Sequence, residues 1–209
     1  MSSLPPIVID IYGEGKTEVP DRPSPHKPQD GVLPILVHKF CGQPAQMQVR
    51  CYGSLFMMGP GGLGRKLQFA QRQAPHHGSA GVVFVVDSDG HWERKHRELH
   101  DARRARGSGV PTAIGVAHPC IEAWLLADAD ALKRAFNLSK SPQLPSDPES
   151  LPPSGDNPNH PKCCLRRIAG KQSGLSAHEK AKIVRKQRCP KSFDPFAEEL
   201  EQKICPLFR

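Results

Sequence analysis

The sequence predicts an α/β fold: a mostly parallel four-stranded sheet flanked by helices, with a basic helical C-terminal extension. Three observations point there. Four short apolar runs, residues 7–12 (IVIDIY), 46–52 (QMQVRCY), 82–86 (VVFVV) and 111–117 (PTAIGVA), are rich in β-branched residues and bounded by turn formers, as buried parallel strands are. Helix-patterned stretches separate them, and strand-helix alternation calls for parallel pairing through crossovers. A chain of 209 residues has room for one such core with a small appendage.

The first strand runs into an acidic cluster, residues 13–18 (GEGKTE), and residues 20–30 (PDRPSPHKPQD) then carry four prolines. Proline removes donors and blocks helix at the preceding residue, so this is a loop, expected to form one wall of whatever site the cluster makes. Residues 32–40 (VLPILVHKF) read as a helix facing the sheet, and 46–52 as a weaker strand. Residues 59–64 (GPGGLG) open a helix reaching Gln73. The third strand, 82–86, ends in a second acidic cluster, 87–90 (DSDG), before a charged helix over about 91–106. After the fourth strand, residues 120–136 hold one or two helices. Residues 138–161 contain seven prolines and form an irregular linker or loop. From 162 the chain is basic, with nine lysines and arginines in residues 162–188. The expected organisation is therefore an α/β metal-binding domain over 1–136, a linker or loop over 137–161, and a basic helical segment, 162–209, packed on the same domain.

A formal charge of +8 favours a polyanionic partner. Seven cysteines without a CxxC pair, and no leader-like N-terminus, point to a reducing cytoplasm. No apolar run approaches the roughly 20 residues that span a bilayer.

In an open α/β sheet the carboxyl ends of the strands share one edge, where ligands bind, so Glu14 and Asp87 are expected together despite their distance in sequence. Asp87 and Asp89, two apart, project to one side of an extended chain. Glu14 and Glu18, four apart, share a face if the chain turns helical there. Glu122, just past the fourth strand, is a further carboxylate. Such a set suits Mg²⁺ or Mn²⁺, which want oxygen ligands. Turn chemistry alone also explains EG and DSDG, and an early-turn glutamate also serves a helix dipole. Asp10, inside the first strand, needs a partner if buried.

GEGKTE after one strand and VVDSDG after another resemble the two signature motifs of the toprim domain, the Rossmann-like metal-binding unit of topoisomerases, bacterial primases and overcoming-lysogenization-defect (OLD) nucleases. HPCIEAWLLAD at residues 118–128 and RCPKSFDPF at 188–196 look more narrowly like a toprim-related family of prokaryotic proteins, domain-of-unknown-function 4276. The resemblance implies Mg²⁺- or Mn²⁺-dependent phosphodiester hydrolysis, with Asp87 and Asp89 holding metal and Glu14 positioning or deprotonating the nucleophile. It implies that Glu18 and Glu122 complete a second metal position, and that a downstream lysine, for which Lys162 is the candidate, sits near the scissile phosphate. Cys120 stands where the OLD branch often has serine, and no direct ligand role is expected of it. The resemblance also implies work beside a separate ATPase in defence against phage or plasmids.

Other motifs are weaker. GPGGLGRK lacks the Gly-Lys-Ser/Thr of a P-loop, leaving a helix start whose amides, Arg65 and Lys66 face phosphate at most. His160 with Cys163 and Cys164 lacks zinc-ligand spacing. His91, His96 and His100 are expected on a solvated helix face. The basic run, Arg185, Lys186 and Arg188 included, is a solvated face or a nucleic-acid track. Strand passage would need a tyrosine nucleophile, and Tyr12 and Tyr52 belong to strands. A non-catalytic nucleic-acid or protein-binding module is the rival reading.

Overall fold

The computed structural model describes residues 5–15, 19, 31–42, 44–53, 61–106, 109–171, 175–184 and 189–209. Four strands, β1 (Ile7–Tyr12), β2 (Met47–Tyr52), β3 (Ser79–Asp87) and β4 (Thr112–Ala117), form an all-parallel sheet in the order β2-β1-β3-β4. The fold class read from the sequence is therefore the observed one. Strand order reverses between β1 and β3, so the ligand-binding crevice of such a sheet lies between their carboxyl ends.

Period-two alternation sends each strand's side chains to two faces. On one face Ile9, Ile11, Val83, Val85 and Ala113 meet α1 (Val32–Phe40) and the elements that follow β4. On the other, Val82, Phe84, Val86, Ile114 and Val116 meet Leu67, Ala70 and Ala74 of α2 (Leu63–His76) and Leu99 of α3 (Trp92–Arg106). After β4 come α4 (Ile121–Leu125), α5 (Ala129–Ala135), α6 (Pro161–Ile168), α7 (Ala177–Ile183) and α8 (Phe193–Glu199), then a π-helical and a 3₁₀ turn. Trp124 of α4 stacks on Phe196 of α8 at 5.4 Å, and both are buried. Each such aromatic contributes about 1.5–3 kcal/mol by burial. Gly115 admits Phe196 to the sheet, since a Cβ there would lie 2.9 Å from its ring.

Between α5 and α6 the proline-rich stretch forms only a 3₁₀ turn, Pro148–Ser150. Its Glu149 is buried and accepts hydrogen bonds from Ser192 Oγ (2.5 Å) and the Lys191 amide (2.8 Å), tying this stretch to the start of α8. Cys41, after α1, is disulfide-bonded to Cys205, a pairing the scattered cysteines did not suggest; Cys51, Cys120, Cys163, Cys164 and Cys189 are free. No helix among the described residues is long and apolar enough to cross a membrane.

Candidate metal centre

The centre begins where β3 stops. Asp87, the last residue of β3, pairs in register with Ala117, the last of β4, so the chain leaving β4 passes directly over its carboxylate. Asp87 Oδ1 accepts from the Ile121 amide at 2.9 Å, which holds the start of α4 against the strand end. The next residue, Glu122, is thereby brought beside it. Asp87, Cys120 and Glu122 are all buried, and a potential ligand atom from each lies within 4.8 Å of the others. Burial, reinforced by the charges of Glu122 and Asp87, pushes the Cys120 thiol far above its ordinary range, so it stays protonated and does not serve a hard cation. The two carboxylates remain. Glu122 Oε2 is buried with no partner at normal hydrogen-bond geometry among the described residues; the protonated Cys120 thiol offers the same carboxylate only a weak donor, and such an atom is costly unless an ion or a stronger donor completes it. Oxygen donors, close spacing and that orphaned oxygen fit Mg²⁺ or Mn²⁺.

Three lysines from three helices meet three of the carboxylates. Lys180 Nζ of α7 lies 2.5 Å from Glu122 Oε1, Lys162 Nζ of α6 lies 3.8 Å from Asp87 Oδ2, and Lys95 Nζ of α3 lies 2.8 Å from Asp89 Oδ2. Lys95 also donates to the Asp87 carbonyl at 2.6 Å. Burial pushes the Glu122 carboxyl up, but Lys180 and Lys162 outweigh it and hold the group below the ordinary glutamate range. Glu14 behaves in the opposite way. Its burial raises the pKa, with Asp89 adding to the effect, and Lys95 and a hydrogen bond from the Asp87 backbone only partly offset this.

The structure therefore brings Glu14, Asp87, Asp89, Glu122 and Lys162 to one edge of the sheet. The expected same-side projection of Asp87 and Asp89 does not hold. Asp89 has φ +48° and Gly90 +83°, and the His91 amide closes a turn on the Ser88 carbonyl (2.9 Å), so the extended strand ends at Asp87. Asp89 is left 63% exposed on Lys95, outside the close Asp87-Glu122 group, while Ser88 is buried against His118 (2.8 Å). Glu18 lies outside the described residues, as do Arg185, Lys186 and Arg188. At the start of α2 the Gly64 amide already donates to Glu98 Oε1 at 2.9 Å, so phosphate near Arg65 and Lys66 would have to compete with a carboxylate. Asp10 is paired with Arg50 of β2 at 2.8 Å, in register beside it, away from the centre. His160 caps α6, accepting from the Lys162 amide at 3.2 Å.

A cavity of about 410 Å³ opens beside the carboxylates, lined by Glu122, His160, Lys162, Arg166, Leu175 and Lys180 among others. Lys162 and Arg166 are one helical turn apart and so share the face of α6 that borders it. Lys95 and Lys180 were not singled out from sequence as site residues. Lys180 belongs to the basic run whose composition reads as a solvated face or a nucleic-acid track, yet its side chain is only 6% exposed. One local signal announces it: Ser176 and Glu179, three apart, form a capping box that starts α7 immediately before Lys180. No family model, curated protein or solved structure matches the chain.

Proposed function

We propose that the chain is a divalent-metal-dependent nuclease that hydrolyses phosphodiester bonds of nucleic acid, acting alone or beside a separate ATPase. The observation that carries this reading is the meeting of buried Asp87 and Glu122 at the strand-switch edge, next to a cavity bordered by Lys162, Arg166 and Lys180. Acids for a cation and bases for a phosphate stand side by side. The motif resemblance to toprim domains supports the same chemistry.

Asp87 and Glu122 would hold Mg²⁺ or Mn²⁺, with Asp89 and Glu14 on the rim. When bound, such an ion would supply Lewis-acid charge for the phosphoryl group and ease ionisation of a water. Glu14, whose burial makes it a stronger base than an ordinary glutamate, takes the proton of the attacking water as its oxygen bonds to phosphorus. The bond from phosphorus to the ester oxygen breaks, and that oxygen leaves to be protonated by solvent. Lys162, 52% exposed and near Asp87, reaches the phosphate and offsets its developing charge.

One observation favours the rival, a non-catalytic binding module: three ammonium groups already neutralise Asp87, Asp89 and Glu122. Cleavage of single- and double-stranded DNA and RNA, with Mg²⁺, Mn²⁺ or EDTA, separates the two. The nuclease reading expects metal-dependent cleavage that Glu14→Gln lowers by about 10²–10⁴-fold with substrate binding retained. Tight binding without cleavage under every condition would establish the binding module.

A further inference from the structure

We infer that Lys180 is a fixed, built-in cation that occupies the place a second divalent ion would take, so that the centre binds one ion rather than two. This rests on the metal-dependent reading above, and departs from the two-ion arrangement that the motif resemblance implies for Glu122.

The three lysine-carboxylate pairs are not equivalent. Asp89 is 63% exposed, and Lys162 is 52% exposed, so the pairs that contain them can open toward solvent when an ion or a phosphate arrives. Glu122 and Lys180 are 3% and 6% exposed, with Nζ 2.5 Å from Oε1. Breaking that pair would strand a buried charge on each side.

Lys180 is also anchored from both directions along its helix. Before it, the Ser176 amide and hydroxyl each donate to Glu179 Oε2 at 2.9 Å, Glu179's amide returns to Ser176 Oγ at 3.3 Å, and Lys171 pairs with Glu179. The Lys180 amide then donates to the Ser176 carbonyl at 3.0 Å, closing the first turn. Beyond it, Ile183 and Val184 are fully buried in the core. The ammonium is thus held by the fold, not by the carboxylate alone.

Its position divides Glu122 in two. Oε1 is taken by Lys180, which leaves the buried Oε2 as the oxygen available to an ion held together with Asp87. One ion on Asp87 and Oε2 completes the buried acids. A second ion on Glu122 would have to approach Oε1, already at hydrogen-bond distance from an ammonium, and like charges so close repel strongly in a buried site. Lys180 also lines the cavity that Lys162 and Arg166 border, so its charge adds to the positive potential there.

Mn²⁺ titration of the full chain, followed by calorimetry and by the spin-resonance signal of bound ion, tests this. The native chain is expected to take one ion, and Lys180→Met two. Lys180→Gln, which keeps a donor for Glu122 without the charge, replaces it if Lys180→Met does not fold. One ion in both native and variant would overturn the role of Lys180 while leaving the metal centre standing. Two ions in the native chain would also overturn it. No ion in either would remove the metal-dependent reading itself.

Discussion

At the scale of single residues, the centre separates two glutamates that composition alone treats as alike. Glu122 is more buried, yet two lysines hold its pKa down; Glu14 is less buried, yet its pKa is raised because burial outweighs Lys95. The consequence for stability has a definite sign. Folded Glu14 keeps its proton at pH values where the unfolded chain has already lost it. Stability from this group is therefore present below the ordinary glutamate pKa near 4.5 and declines as pH rises through the raised value. Glu14→Gln removes the titration but keeps the shape. The metal-free variant is expected to melt higher than the native chain at pH 8, with the difference vanishing near pH 4. Equal melting temperatures at pH 8 would mean that Glu14 is not penalised by the fold, and would weaken its assignment as the base. Saturating Mn²⁺ should narrow the gap at pH 8, because a cation near Glu14 favours its charged form.

At the scale of elements, α3 shows both what the pattern announced and what it hid. Its charged composition, with Lys, Arg, Glu and two histidines, reads as a solvated helix, and the limits expected from sequence are close to those observed. Instead Trp92, His96 and His100 stack along one side, with ring centroids 4.6 and 4.1 Å apart, against a pocket bordered by Phe196 and Glu199. The i, i+4 spacing was visible; the α8 residues that cover that side are about a hundred positions away, and no local pattern supplies them. Burial, with His96 and Arg103 adding to it, pulls His100 down to about 4, and its Nδ1 lies 3.0 Å from the Arg103 guanidinium, a geometry for neutral imidazole. The unfolded chain takes up this proton near pH 6.5 and the folded chain only near 4. Stability from this group is thus full above about 6.5 and falls progressively as pH drops toward 4. Urea unfolding at pH 7, 5.5 and 4.5 should show a smaller acid loss in His100→Gln than in the native chain. An unchanged acid limb would place the loss elsewhere. The strands were more legible than this helix face, because runs such as VVFVV are buried on both sides and need no distant partner to be recognised.

At the scale of the whole molecule, the parallel order β2-β1-β3-β4 is what turns two sequence motifs into one site. The acidic ends of β1 and β3 were readable, since strand ends and turns are local. The lysines that answer them were less so: Lys180 is 58 residues from Glu122 and approaches it only because the helices after β4 fold back across the sheet edge. The net charge of +8 pointed to a polyanion without saying where one would lie. The proposed function would put it in the cavity, and Arg166 is the residue by which to test that. It borders the cavity on the same face of α6 as Lys162, and its Nη2 lies 2.9 Å from Cys163 Sγ. It touches neither Asp87 nor Glu122 in any ion pair found among the described residues. Arg166→Glu is therefore expected to leave Mn²⁺ binding in place while weakening nucleic-acid binding. If Arg166 neutralises a phosphate, the slope of log affinity against log salt should flatten by about one contact, roughly 0.9 for duplex DNA or 0.7 for a single strand. Fluorescence anisotropy with labelled oligonucleotides over a salt series measures this. An affinity and slope equal to the native chain's would move the polyanion away from the cavity. The +8 charge would then act through another surface, and α6 would serve the centre through Lys162 alone.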